Sequence, residues 1–203
     1  MNIFLQGLTM GLAYVAPIGM QNLFVINSAL TNKRKRALLT ALIVIFFDIT
    51  LSFACFFGIG TIMQKFKWLQ MVILCVGSLI VIYIGISLLR AKTQDLEKDQ
   101  PTMSIKKTIS SACVVTWFNP QAIIDGTMML GAFHVTLAAG QETPFITGVA
   151  CASFSWFIGL TFLISLISSK FNAKVMRWIN VVCGVIIIGY GIKLFVSFVQ
   201  MLL

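Results

Sequence analysis

Six stretches of the chain, about 3–30, 37–63, 69–89, 108–132, 144–168 and 178–201, run apolar for long enough to cross a bilayer, which takes roughly 20 residues per helix. None alternates apolar with polar positions and each is far too long for a strand, so helices are expected rather than a membrane β-barrel. Backbone groups in lipid have no water to bond, which demands the same. Between the third and fourth stretches, Thr93 to Thr102 is the one hydrophilic segment, and it falls near the midpoint of the chain. The expected fold is an all-α integral membrane protein of six transmembrane helices: a three-helix unit at 1–92, a cytoplasmic linker at 93–107 and a second three-helix unit at 108–203.

Composition sharpens this picture. Of 203 residues 59% are hydrophobic and only 10% charged, with mean hydropathy +0.97, where a soluble domain carries about a quarter charged residues. The net charge of +9 would suggest nucleic acid in a polar chain, but here the bases cluster between apolar runs. That is a topology signal, because Lys and Arg mark cytoplasmic loops. Lys33 to Arg36, then Arg90, Lys92, Lys98, Lys106 and Lys107, then Lys170, Lys174 and Arg177 flank the first, third and fifth connections. Lys65, Lys67 and Lys193 are the only bases elsewhere, so both termini are expected outside. The N-terminal residues lack a basic region and their apolar run is too long for a signal peptide, so it reads as a retained helix.

Each half opens with a helix interrupted by proline: Ala16-Pro17-Ile18-Gly19 in the first, Phe118-Asn119-Pro120-Gln121 in the fourth. With three spans per half, the halves must enter the membrane from opposite sides. This is the inverted-repeat plan of many secondary transporters, in which matching breaks meet near the midplane. Proline removes a donor and pushes off the carbonyl four residues earlier, here Ala13 and Thr116, leaving backbone that a cavity can satisfy and lipid cannot. A plain kink is the alternative for either proline alone.

Asp48 and Asp125 are the chemically expensive residues. Each sits in an apolar run, and an acid at the centre of a span costs roughly 2.5–3.5 kcal/mol on the insertion scale. Such residues mark ion, proton or substrate paths. The alternative is a pair of neutral acids joining helices by hydrogen bonds worth about 1 kcal/mol each. No base lies within the first five spans to neutralise them, so a cationic substrate or a proton is the expected partner. Gln21, Asn22 and Asn119 flank the breaks, and half-helix N-termini favour anions, so amides and breaks together could hold a carboxylate. A zwitterionic amino acid with a cationic side chain fits that pairing.

The remaining signals are weaker. Lys193 reads as a base snorkelling from the last span to the interface. Gly7-Leu8-Thr9-Met10-Gly11 has the small-xxx-small spacing of closely packed helices, within the chain or in a homo-oligomer. Cys55, Cys75, Cys113, Cys151 and Cys183 form no Cys-x-x-Cys pair, and His134 is the lone histidine, so neither a metal site nor a local redox pair is expected. The absence of a phosphate-binding Gly-x-x-x-x-Gly-Lys-Ser/Thr loop excludes ATP as the driver in this chain, and no other cofactor motif is present.

Several stretches, taken together, resemble one family. They are Ala16-Pro17-Ile18-Gly19-Met20-Gln21-Asn22-Leu23-Phe24, Phe47-Asp48, Trp117-Phe118-Asn119-Pro120-Gln121-Ala122-Ile123-Ile124-Asp125, and Ser153-Phe154-Ser155-Trp156-Phe157. They are similar to the LysE family of bacterial amino-acid exporters over nearly the whole chain. The resemblance implies a multi-pass protein of the bacterial cytoplasmic membrane in which Asp48 and Asp125 are central to transport. It favours lysine and arginine as substrates, because relatives exporting threonine, homoserine or leucine tend to show Pro-Gly-Pro where this chain has Pro17-Ile18-Gly19-Met20. Met20 and Gln121 depart from the family pattern. The expected activity is export of basic amino acids by proton antiport, with no enzyme chemistry. The alternatives are a neutral amino-acid exporter of the same fold, a membrane thiol-disulfide electron carrier built on the cysteines, and a divalent-cation exporter, for which two acids offer few ligands.

Overall fold

The computed structural model describes residues 2–17, 19–58, 66–90, 103–134, 136–168 and 173–202. Among the described residues there is no strand. The first apolar run is two helices, α1 (Ile3–Val15) and α2 (Met20–Thr31), bent by 77° at the Pro17 break. α3 (Arg34–Phe56) and α4 (Lys67–Arg90) complete the first half. The expected linker falls outside the described residues as far as 102, and its last residues, Ile105 to Lys107, already begin α5 (Ile105–Trp117). Ser104 starts that helix by accepting a hydrogen bond from the Lys107 N–H at 3.3 Å, which satisfies a donor the first turn would otherwise leave free. After Asn119 the chain resumes as α6 (Pro120–Gly126), widens into a π-helical turn at Thr127–Gly131 and ends in the single turn α7 (Ala132–His134). The long helices α8 (Glu142–Ser168) and α9 (Ala173–Leu202) follow.

Arg34–Phe56, Glu142–Ile167 and Gly184–Met201 are each long and apolar enough to cross a membrane, and the bent α1/α2 pair makes a fourth when taken as one span. The protein is therefore a multi-pass membrane protein. Its outward face is apolar, with Phe46, Tyr83, Leu79, Val185 and Met128 all more than half exposed. A water-soluble chain would bury such side chains. Trp68 and Trp178, near the starts of α4 and α9, are exposed at the positions where amphipathic rings favour the headgroup layer.

α8 is the hub of the packing. α1 runs parallel to it at backbone distance: a methyl group on Gly7 would overlap the Phe145 carbonyl, one on Gly148 would overlap that of Phe4, and one on Gly11 would lie 2.7 Å from the Ala152 Cβ. Gly7 and Gly11 are therefore used within the chain, as small residues that let two helices approach. α3 crosses α8 antiparallel, with Phe56 stacked on Phe145 at one end. α4 packs antiparallel on α9, with Gly85 set against Gly184 and Ile188.

The two ends of the helix cluster differ in chemistry. At one end Arg36 donates to the Met103 carbonyl at 2.6 Å and to Thr108 Oγ1 at 2.8 Å, and Arg34 lies 4.4 Å over the Phe162 ring. The α2–α3 connection, the start of α5 and the late part of α8 thus meet there. At the other end Phe56, Phe57, His134, Phe133 and Phe145 form an aromatic cluster, and the start of α1 joins it through Phe145.

Candidate functional site

Asp48 lies midway along α3 and is fully buried. Its Oδ2 accepts a 2.6 Å hydrogen bond from Ser153 Oγ on α8, while its Oδ1 is buried without a partner. Gln21, in the first turn of α2, faces this carboxyl closely enough to act on it, and its Nε2 is likewise buried without closing a hydrogen bond. One turn along α3, the buried Ser52 hydroxyl also lacks a partner. Unpaired buried polar groups cost about 1–3 kcal/mol each, so several around one carboxyl mark a place built for something other than stability.

The break beside it is closed by Asn22. Its amide nitrogen donates to the carbonyls of Val15 at 2.9 Å and Pro17 at 2.7 Å, and its Oδ1 accepts from the Trp156 indole at 2.8 Å. The structure adds two carbonyls to the one, that of Ala13, expected to be freed. Because the chain turns by 77°, the carbonyls that need a donor lie at the end of α1 and within the break itself. Asn22 supplies both hydrogens of its amide there. Gly19, extended at φ −119°, precedes α2 with no side-chain cap, so the first N–H groups of α2 keep their free donors.

The second break is arranged differently. Pro120 is the first residue of α6, where its missing N–H falls on a donor that would be free anyway. Asn119 precedes it in extended conformation, and its side chain makes no capping bond. Gln121 donates to Asp125 Oδ1 at 2.7 Å, an i to i+4 pair along α6, and Asp125 remains partly exposed. Trp117 ties the end of α5 to α3 through its indole N–H and Thr50 Oγ1 at 3.2 Å. The buried hydroxyl of Thr116 has no partner, and that of Thr127, beyond the break, faces the Cys55 thiol without closing a hydrogen bond.

Tyr14 links the two breaks. Its hydroxyl donates to the Ala122 carbonyl at 3.3 Å, its ring stands against Gly126, and it lies within electrostatic reach of both Asp48 and Asp125. Cys55 closes the same corner, with its Sγ 3.7 Å from the Ile123 carbonyl. The fold thus brings Gln21, Asp48 and Asp125 around Tyr14, and leaves Asn22 behind the first break and Asn119 at the rim of the second. Sequence reasoning missed Tyr14 and gave Ser153 and Trp156 no role. The signal available was the three-residue spacing of Ser153 and Trp156, which puts both on one face of α8.

Elsewhere, Cys75, Cys113 and Cys151 are free thiols on α4, α5 and α8, and Cys55 is free on α3. His134 is packed edge-on against Phe56, with ring centroids 4.6 Å apart. Lys193 is exposed on α9.

Comparison with known proteins adds three findings. The family model described as LysE type translocator matches residues 12–197. The arginine exporter proteins ArgO of Salmonella schwarzengrund and of Klebsiella pneumoniae are each 31% identical to the chain over 188 residues, 90% of this chain and 88% of the relative, and that of Salmonella paratyphi A is 30% identical over the same span. No solved structure matches the chain.

Proposed function

The chain belongs to the LysE family of translocators, and from that premise we propose that it exports the basic amino acids arginine and lysine from the cytoplasm, across the bacterial inner membrane, in exchange for protons. It is a transporter and not an enzyme. The observation that carries the reading is the pair of carboxyl groups, one beside each helix break, with Tyr14 between them and no base on α1, α2, α6 or α8 to neutralise them. A guanidinium or ammonium group supplies the missing charge. The substrate carboxylate would take the free N–H groups at the start of α2 or α6, near Gln21 and Asn119, where the helix dipole favours an anion.

The six-span inverted repeat is part of this proposal. Its support is that the packing maps onto itself when the halves are exchanged: α1 lies parallel to α8 as α5 lies parallel to α3, while the α3–α8 and α4–α9 pairs each map onto themselves. Arg34 and Arg36 bring the start of α5 and the end of α8 to the basic end, which supports a cytoplasmic assignment for that end and an outside position for the termini. Moving one positive charge out of a negative-inside cell costs about 2.3 kcal/mol per 100 mV, and one proton moving inward cancels it.

Exchange of labelled arginine and lysine in proteoliposomes tests the reading. The wild type should exchange both, and Asp125→Asn should lose exchange while remaining folded in the membrane. Exchange of threonine or leucine in place of arginine and lysine would refute basic-substrate export and favour the neutral amino-acid reading.

A further inference from the structure

The two carboxyl groups sit in unlike surroundings, and the difference assigns them different cargo. Resting on the export reading above, we propose that Asp48 and Ser153 form a proton site separate from the substrate site at Asp125, in which the Ser153 hydroxyl turns between Asp48 and the Val149 carbonyl as the proton arrives and leaves.

The geometry carries this. Asp48 and Ser153 are both completely buried, whereas Asp125 is partly exposed and is presented by Gln121. Ser153 Oγ stands 2.6 Å from Asp48 Oδ2 and 3.4 Å from the Val149 carbonyl oxygen, so its one hydrogen has two acceptors. When Asp48 is ionised it can only accept, and Ser153 donates to it. When Asp48 carries the proton on Oδ2, its own O–H donates to Ser153 Oγ, and the serine hydrogen swings to Val149. Both states are bonded without displacing a heavy atom. In release, the O–H bond of the carboxyl breaks, the electron pair stays on the oxygen and the proton passes to water on the side to which the site has opened.

The groups facing Asp48 fit a proton better than a larger cargo. α1 brings Tyr14 and α3 itself brings Cys55, both titratable, while α2 brings Gln21 and α8 brings Ser153, both uncharged. α1, α2 and α8 contain no lysine or arginine. The carboxyl lies between the apolar clusters of Val44 and Ile45 on one side and Leu51, Cys55 and Ile123 on the other. A bare metal ion asks for more oxygens than Asp48, Ser52 and Ser153 bring.

Infrared difference spectra of the full protein in lipid, titrated with acid and no substrate added, test the proposal. Other acids of the chain also take protons, so the reporter is the component that Asp48→Asn removes. A carboxylic-acid carbonyl band should appear on acidification that Asp48→Asn lacks, that persists in Asp125→Asn and that shifts in frequency in Ser153→Ala, with Ser153→Thr restoring it. An Asp48→Asn spectrum that has lost no component of the band, or an Asp48 component that Ser153→Ala leaves unshifted, overturns the proposal. So does displacement of the band by sodium chloride at constant pH. These spectra need no substrate, so their failure is distinct from failure of the export reading: a wild type that shows the Asp48 band but exchanges neither arginine nor lysine would remove only the latter. Where exchange is present, Asp48→Asn should lose the dependence of arginine efflux on a pH gradient.

Discussion

The two helix breaks share a proline, a nearby aspartate and a close glycine approach, but only the first is braced across the break by a side-chain amide. The first is pinned to α8 twice over, by the backbone contacts of Gly7, Gly11 and Gly148 and by the Trp156–Asn22 brace that satisfies the carbonyls of Val15 and Pro17. The second is also approached by backbone, at Gly77 of α4, where a methyl group would overlap the Phe118 carbonyl. Its ties by hydrogen bond are Arg36 to Thr108, Trp117 to Thr50 and Tyr14 to the Ala122 carbonyl, with no amide brace across the break itself among the described contacts. Its Asn119 caps nothing, and α6 gives way after seven residues to a π-helical turn. Such turns are a costlier form of helix and are frequent at functional sites. The braced break therefore suits a fixed wall carrying the sealed Asp48, and the loose one a part that can change shape around the more accessible Asp125.

The strongest way to break that contrast is at Gly7. Even a methyl group there would overlap the Phe145 carbonyl, which belongs to the backbone and cannot swing aside. Gly7→Ala should cost stability at or beyond the upper end of the about 1–3 kcal/mol typical of overpacking. Thermal denaturation of the purified protein in detergent, followed by size-exclusion chromatography, measures it. A variant as stable as the wild type would mean that α1 is not pinned as described.

Next in size is Asn22→Ala, which leaves two backbone carbonyls and the Trp156 indole without partners. At about 1–3 kcal/mol for a buried group left unpaired, and with some relief from water entering the break, the loss should be on the order of 3 kcal/mol. Trp156→Phe puts a smaller phenyl ring in place of the indole and leaves the buried Asn22 Oδ1 without its donor, so it should cost about 1–3 kcal/mol. In the double variant the two effects should fall short of additivity, since they share one hydrogen bond. Additive losses would show that Trp156 and Asn22 act independently.

Much of this was legible in the sequence, for reasons that separate local from distant causes. Pro17 and Pro120 act on their own turn of helix, so the breaks could be read directly, as could the two acids in apolar runs. What decides the roles of neighbouring residues lies far along the chain. Ser153 meets Asp48 across 105 residues, Tyr14 meets Ala122 across 108, and Trp156 meets Asn22 across 134. Sequence spacing could place Asn22 among the amides near the break but could not show that both its hydrogens go to backbone carbonyls. The π-helical turn had no signal either, because Thr127–Gly131 is composed like any apolar helix.

The smallest structural effect, and the sharpest contrast with Asn22, is expected at Asn119. Both are amides at a break and both were read as substrate ligands. Removing an N-cap side chain costs about 0.5–2 kcal/mol when it bonds the first turn. Asn119 makes no such bond, so Asn119→Ala should change stability by no more than about 0.5 kcal/mol, as for an ordinary substitution away from packed or paired groups. An amide that braces nothing is free to meet cargo, and the free N–H groups of α6 begin just beyond it. Arginine exchange by Asn119→Ala should therefore fall while the denaturation curve stays in place, the reverse of Trp156→Phe, where the curve should move first. If Asn119→Ala exchanged arginine at the wild-type rate, the carboxylate end of the substrate would have to be assigned to the start of α2, and the loose break would be left with the cation alone.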